Sequence, residues 1–277
     1  MKKFRLKRKW KIIFCIILLF IFMFISLRYI GTSGLKVREY KVVNKNIKSF
    51  YGLKIVHFTD LHYGMTVDDD KLNNIVEMIN DIKPDIVVFT GDLVDRNTKV
   101  TEDIYNILVS NLSKIKTTYG KFYVTGNHDK VNNSYDSIMQ KSNFKSLDEN
   151  YEVIYSKESD TIFISGVSVD EKISETTKEA LNLNEYDYKI YLVHYPDEVD
   201  SILKYNFDLV LAGHSHNQVR LPVIGKIITP DNAKKYYDPY YKLDNTDLYI
   251  GGGIGNSTIN FRLFNKPSFN LYRLVDK

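Results

Sequence analysis

The sequence has one cysteine in 277 residues, and that residue, Cys15, lies inside an apolar run. Its isolation excludes a disulfide framework and any zinc site built on thiolates, so a metal here must be held by His, Asp, Glu or Asn. Surplus positive charge is missing from most of the chain as well. The net charge is +4, but residues 1–11 alone carry seven Lys or Arg and no acid, which leaves 31 basic (38 minus 7) against 34 acidic groups, or −3, in residues 12–277. A nucleic-acid binder gains affinity from a basic face, and this body has no excess from which to build one, so DNA and RNA are excluded as partners. No Gly-x-Ser-x-Gly elbow, no P-loop and no Cys-His pair outside the apolar run occurs. What is present, 44% apolar, 26% charged and 13% aromatic residues, is a globular composition and neither collagen-like nor disordered.

Residues 12–25 are uninterruptedly apolar, and Ser26 and Leu27 extend the run to Arg28. The sixteen residues 12–27 rise about 24 Å as a helix, somewhat short of a roughly 30 Å hydrocarbon core. Trp10 and Tyr29 flank the run like interfacial aromatics, and Lys11 and Arg28 are long enough to snorkel, so residues 10–29 suffice to cross. No Ala-x-Ala-like cleavage site follows; Gly31-Thr32-Ser33-Gly34 is a weak substitute. The expectation is a basic cytoplasmic tail over 1–11, an uncleaved transmembrane signal anchor over 12–30, a tether or edge strand over 31–50, and a catalytic domain over 51–277 facing outward from a cell membrane.

Within the body, β-rich runs occur at 53–58, 86–89, 121–124, 161–165, 189–193 and 208–211. Leu72, Ile75, Val76 and Ile79 repeat at helical spacing ahead of Pro84, which predicts a helix over 68–82. Ile104, Ile107, Leu108, Leu112 and Ile115 predict a second, closed near Gly120. Alternating strands and helices imply a layered α/β domain with its ligand site at the carboxyl ends of the strands. Beyond residue 221, short β runs and the glycines at 251–253 and 255 suggest that the chain finishes on strands.

Five of the six histidines stand just after such runs, in Asp60-Leu61-His62, Gly126-Asn127-His128-Asp129, His194-Tyr195-Pro196 and Gly213-His214-Ser215-His216, and Gly91-Asp92-Leu93-Val94-Asp95 follows another. Each segment alone reads as a turn, a cap or a structural histidine. Together they read differently. Strands of one sheet bring their ends to a common rim, where unpaired carboxylates would repel and lose hydration; bound cations remove that cost. In extended backbone residues i and i+2 point the same way, so Asp60 with His62, and His214 with His216, are expected to converge. Gly91, Gly126 and Gly213 allow close backbone approach. A donor set of oxygens and imidazoles suits manganese, iron or zinc. The sixth histidine, His57, lies within an apolar strand and reads as core.

Asp-x-His, Gly-Asp-x-x-Asp, Gly-Asn-His-Asp, a separate His and Gly-His-x-His, in that order over residues 60–216, resemble the signature blocks of the calcineurin-like metallophosphoesterases. Arg220-Leu221-Pro222, the glycines of 251–255 and Arg262-Leu263 extend the resemblance toward a membrane-associated bacterial branch, over about residues 51–275. That branch commonly has Gly-Gly-Gln after the last histidine, where this chain has Asn217-Gln218. The resemblance implies an α/β metallophosphoesterase fold, a β-sandwich flanked by helices in four α/β/β/α layers. It implies one metal held by Asp60, His62 and His216, a second held by Asn127, His194 and His214, and the Asp92 carboxylate bridging both. His128 would contact phosphate and assist the leaving alkoxide, with Asp129 orienting it and Asp95 bracing the loop or a ligand imidazole. The implied reaction is attack of a metal-bridging hydroxide on a phosphoester, without a protein nucleophile.

A diester is preferred to a monoester or pyrophosphate, because no Arg or Lys cluster near the motifs offers a clamp for a dianion. An outward-facing anchored domain implies an envelope or lipid-linked substrate. Tyr236, Tyr237, Tyr240 and Tyr241 are either a wall for that substrate or ordinary packing residues. The competing reading is a non-catalytic metal-binding module of the same fold.

Overall fold

The computed structural model describes residues 8–44, 47–216, 220–221, 225–226, 229–257 and 260–276. Most of the basic tail, Asn217-Gln218 and Pro222 therefore lie outside the described residues. Helix α1 (Arg8–Ile25) runs on into a π-helical turn, Ser26–Ile30. Together they form a 23-residue helix long and apolar enough to cross a membrane, with no buried side chain in α1.

The remaining chain builds two six-stranded sheets. The first has the order β1-β14-β2-β3-β4-β5, from β1 (Lys36–Val43), β2 (Lys54–Phe58), β3 (Ile86–Phe89), β4 (Gly120–Tyr123), β5 (Lys145–Ser146) and β14 (Ser268–Val275). The second has the order β12-β13-β9-β8-β7-β6, from β6 (Tyr151–Tyr155), β7 (Thr161–Gly166), β8 (Tyr188–Val193), β9 (Leu209–Ala212), β12 (Tyr240–Leu243) and β13 (Thr246–Ile250). A two-stranded ribbon, β10 (Arg220–Leu221) with β11 (Gly225–Lys226), stands apart.

Side-chain alternation along the strands makes the layers. In β3, Ile86 and Val88 face a core shared with Ile162, Ile164, Ile190 and Leu209 of the other sheet. Val87 and Phe89 face the opposite way, onto Leu72, Ile75, Val76 and Ile79 of α2 (Asp69–Ile82) and Leu108 and Leu112 of α3 (Glu102–Ser113), with α4 (Tyr135–Lys141) beside them. On the other side Phe163, Tyr191 and Val210 pack under α5 (Glu175–Leu183) through Ala180. The order helix, sheet, sheet, helix is the expected four-layer α/β fold.

Local signals account for the helix ends. Asp68 caps α2 by accepting the Lys71 N–H at 3.0 Å, and Asp69 and Asp70 sit in its first turn, where the helix dipole favours negative charge. Lys83, at φ 54°, turns the chain out ahead of Pro84. The second helix ends at Ser113, well before Gly120, which instead opens β4 at the sheet. The segment expected as tether or edge strand contains β1, which lies at the sheet edge paired in parallel with β14.

Candidate metal centre

β2, β3 and β4 are parallel neighbours, as are β8 and β9, so their carboxyl ends point the same way. Asp60 and His62 follow β2, Asp92 and Asp95 follow β3, and Asn127, His128 and Asp129 follow β4; His194 follows β8, and His214 and His216 follow β9. The donors thus come from the rims of both sheets, where the layers meet, and not from one sheet as the strand argument alone supposed.

The convergence of residues two apart also has a different cause from the pleat expected. Asp60, His62, Asp92, His214 and His216 all have left-handed backbone, with φ of 51°, 45°, 63°, 63° and 47°. That conformation costs a non-glycine residue about 1 kcal/mol or more, and it persists where surrounding contacts over-determine it. Those contacts are present: the N–H groups of Asp60, His62 and Tyr63 donate to the carbonyls of Gly91, Asp92 and Leu93 at 2.9, 3.1 and 2.9 Å. Gly91 and Gly126 permit this interlock. A β-carbon on Gly91 would lie 2.5 Å from the Gly126 nitrogen, and one on Gly126 would lie 2.4 Å from Asp92 Oδ1.

Three overlapping groups of donors result: Asp60, His62 and His216; Asp92, His194 and His214; and, sharing a member with each, His62, Asp92 and His128, the candidate ligand atoms in each lying within 4.8 Å of one another. His62 Nε2 and His216 Nε2 are 3.1 Å apart, and His216 Nε2 is 3.3 Å from Asp60 Oδ1. Ligands about 2.1 Å from one cation and at right angles around it would be about 3 Å apart. Asn127 Oδ1 is 3.1 Å from His194 Nε2, which places it with the second cluster.

Asp92 belongs to two of these groups. Its Oδ1 accepts the His128 N–H at 2.8 Å, whereas its buried Oδ2 has no hydrogen-bond partner. Around Oδ2 stand the Nε2 atoms of His194, His62 and His128, at 3.4, 3.7 and 4.0 Å. A buried carboxylate oxygen without a donor costs about 1–3 kcal/mol or more, and a cation on either side is what this environment fits.

Backbone carbonyls orient the imidazoles. His194 Nδ1 donates to the Thr90 carbonyl at 2.6 Å and His216 Nδ1 to that of Gly255 at 3.2 Å, so each ring turns Nε2 toward the centre. His214 Nε2 donates to the Asp231 carbonyl at 2.8 Å, which leaves Nδ1 as its candidate ligand atom. Burial lowers the His62 pKa to about 3 and pushes that of His216 well down, so both rings are neutral at pH 7. Burial acts the same way on His194, but the Asp92 carboxylate outweighs it and raises that pKa to about 10. Burial would raise Asp92 itself; the charged His194 ring instead holds it well below the usual carboxylate range. Asp60, buried and near Asp92, is raised to about 7. A proton on His194 thus occupies the electrostatic place of a cation.

Three expected roles need correction or refinement. Asp129 does not touch the His128 ring: its carboxylate accepts the N–H groups of Asp92, Leu93 and Gly126 at 2.6, 2.9 and 2.9 Å, tying two ligand loops together. His128 is oriented instead by the Arg96 N–H, which donates to its Nδ1 at 3.0 Å, with Asp95 Oδ2 3.6 Å from the same nitrogen. Asp95 Oδ2 also faces His62 Nδ1 at 3.9 Å, and both atoms lack a hydrogen-bond partner. His57 is buried, but in polar company, with Thr90 Oγ1 2.8 Å from Nε2 and the Tyr272 hydroxyl 3.3 Å from Nδ1.

Of the tyrosines considered as a substrate wall, three have structural partners. Tyr236 packs in the core under α5 and donates to Asp200, Tyr240 donates to Asp247, and the Tyr241 hydroxyl accepts two backbone N–H groups. Sequence reasoning missed a supporting layer. The buried Arg262 guanidinium donates to the carbonyls of Gly252, Gly253 and Gly255 at 2.9, 3.1 and 2.7 Å, and its Nε donates to Asn256. Asn265 donates to the His216 carbonyl at 3.1 Å.

A protein of Bacillus subtilis (strain 168) named uncharacterized metallophosphoesterase YkuE is 29% identical over 254 residues, 89% of this chain and 88% of its own length. A protein of Campylobacter jejuni named uncharacterized metallophosphoesterase Cj0846 is 28% identical over 251 residues, 88% of this chain and 65% of its own. A Danio rerio protein named transmembrane protein with metallophosphoesterase domain is 26% identical over 239 residues, 80% of this chain and 53% of its own. The family of calcineurin-like phosphoesterases, dinuclear metal proteins that are generally phosphoester hydrolases, matches residues 53–218, and the chain belongs to it.

Proposed function

We propose that this chain is a membrane-anchored phosphoesterase working with two transition-metal ions. Asp60, His62 and His216 would hold one, Asn127, His194 and His214 the other, and Asp92 would bridge them. The observation that carries this reading is the buried Asp92 Oδ2, which makes no hydrogen bond of good geometry and is ringed by the Nε2 atoms of His194, His62 and His128 where the donor groups overlap. Two such ions supply a water acidic enough to attack phosphorus near neutral pH and Lewis-acid stabilisation of the attacking and leaving oxygens.

The protein's own part is orientation and hydrogen bonding. Asp129 and the Thr90, Gly255 and Asp231 carbonyls fix the loops and rings. His128 presents Nε2 toward the cleft with its proton there, because Nδ1 accepts from Arg96, and burial lowers its pKa so that the ring is neutral. It therefore donates a hydrogen bond to a phosphoryl or leaving oxygen and does not transfer a second proton. Arg262, the buried guanidinium behind the cluster, is engaged by three carbonyls and Asn256, so it is no clamp for a dianion and a diester is the favoured substrate class. The basic residues ahead of the apolar helix favour an N-terminus in the cytoplasm and a catalytic domain outside, where an envelope or lipid-linked phosphoester is the substrate.

The test is hydrolysis of a chromogenic diester by the manganese-loaded full chain, with metal content measured beside it, against Asp92→Asn. Hydrolysis lost in the variant supports the reading. Metal uptake without hydrolysis of any phosphoester by the wild type identifies a binding module instead.

A further inference from the structure

The loop that contains Phe261 and Arg262 contacts the end of the apolar helix. The Phe261 ring packs edge-on against Phe24, with centroids 5.4 Å apart. The Arg262 N–H donates to the Leu27 carbonyl at 3.1 Å, inside the π-helical turn. Gly31 fits against the Arg262 carbonyl so closely that a β-carbon there would lie 1.8 Å from its oxygen. Phe24 precedes Arg28 by four residues, or about 6 Å of helical rise, so Phe261 lies on the apolar side of the first charged residue after the run. Next to it Phe264 is 71% exposed and held at φ 56°, an unfavourable backbone for an aromatic residue. Tyr29, 61% exposed, lies at the same helix end, and Met65, 38% exposed, lines a crevice with Arg28.

We infer that the loop containing Phe261 and Phe264 is seated in the lipid surface beside the anchor, and that the metal cleft is thereby held against the headgroup layer. This rests on the helix being a membrane anchor. The occupant follows from continuity: a ring in contact with Phe24 shares the depth of a residue inside the apolar run, and an exposed phenylalanine on the same loop is stabilised by burial in an apolar phase. The loop is also tied to the cleft. Arg262 holds the Gly255 carbonyl that accepts from His216 Nδ1, and Asn265 holds the His216 carbonyl. Seating the loop therefore places one ligand wall at the plane in which lipid phosphoesters lie, which narrows the substrate to a phosphoester presented at a membrane surface.

The experiment uses the full chain in vesicles of phosphatidylcholine and phosphatidylglycerol, with bromine on the acyl chains either near the headgroup or near the methyl end. Trp10 is the protein's one tryptophan and reports the anchor. A Phe264→Trp reporter on a Trp10→Phe background reports the loop, and Tyr155→Trp on the same background, at a 66% exposed site on the sheet edge, is the control. The expected result is blue-shifted emission at position 264, quenched mostly by bromine near the headgroup, with no quenching at 155. Quenching of native Trp10 without quenching at 264 overturns the loop assignment and leaves the anchor standing. A blue shift at 264 indifferent to bromine means a second copy covers the loop and also overturns it. No quenching of Trp10 overturns anchor and loop together. None of these readouts depends on hydrolysis, so a failed phosphoesterase reading is separable.

Discussion

His128 offers the sharpest test of how the side chains divide the chemistry. Its Nδ1 accepts from the Arg96 N–H at 3.0 Å, so the neutral ring carries its proton on Nε2, 4.0 Å from Asp92 Oδ2 and facing the cleft. His128→Asn keeps an acceptor near the Nδ1 position and removes the donor that reaches the cleft. Losing one donor aimed at a developing oxyanion costs about 10² to 10³ in kcat. His128→Gln places an amide N–H close to the position of Nε2, which can donate a hydrogen bond but not a proton. Steady-state kinetics on a chromogenic diester should therefore rank wild type over Gln over Asn, with metal content unchanged in all three. Above pH 7 the ratio of wild type to Asn should stay flat, since burial lowers the His128 pKa and the ring remains neutral. Equal loss in Gln and Asn, with a ratio that falls as pH rises, would refute the donor role in favour of a general acid. Loss of a metal ion in His128→Asn would make His128 a ligand, and unchanged turnover would remove it from the site.

Other expectations follow from the same geometry. Gly126→Ala puts a β-carbon 2.4 Å from Asp92 Oδ1 and 2.6 Å from the Asp92 nitrogen, so it should weaken metal binding at least tenfold by titration; unchanged affinity would show that Asp92 need not hold its position. Metal uptake should release protons. At pH 8 one comes from His194, raised to about 10, and below pH 7 a second comes from Asp60, raised to about 7, so affinity rises with pH and more steeply on the acid side. Calorimetry in buffers of different ionisation enthalpy measures this, and a binding enthalpy independent of buffer would contradict it. Arg262→Met strands three glycine carbonyls and Asn256, and should lower stability by about 3 kcal/mol or more in denaturant melts; a change under about 1 kcal/mol would mean that water replaces the guanidinium.

The donors were legible because each follows a strand whose apolar run is plain in the sequence, and α2 was legible because the apolar spacing and Pro84 agree. The geometry that unites them was not. Extended backbone was the expected reason for Asp60 and His62 to converge, whereas five donors are left-handed, a choice enforced by loop-to-loop hydrogen bonds that only the folded chain supplies. The carbonyls of Thr90, Asp231 and Gly255 orient the imidazoles, and since every residue type has a carbonyl, no side-chain signal marks them. Asp129 next to His128 invited a pairing that the backbone turn prevents, sending its carboxylate to three N–H groups instead. The parallel pairing of β1 with β14 joins opposite ends of the chain and has no local trace either.

The central claim is that Asp92 joins two metal ions, and anomalous diffraction from crystals of the manganese-loaded protein tests it most directly. The account predicts two peaks roughly 3.5–4 Å apart, with Asp92 Oδ2 about 2.2 Å from both. A single peak, or two peaks with Asp92 bound to neither, would contradict it.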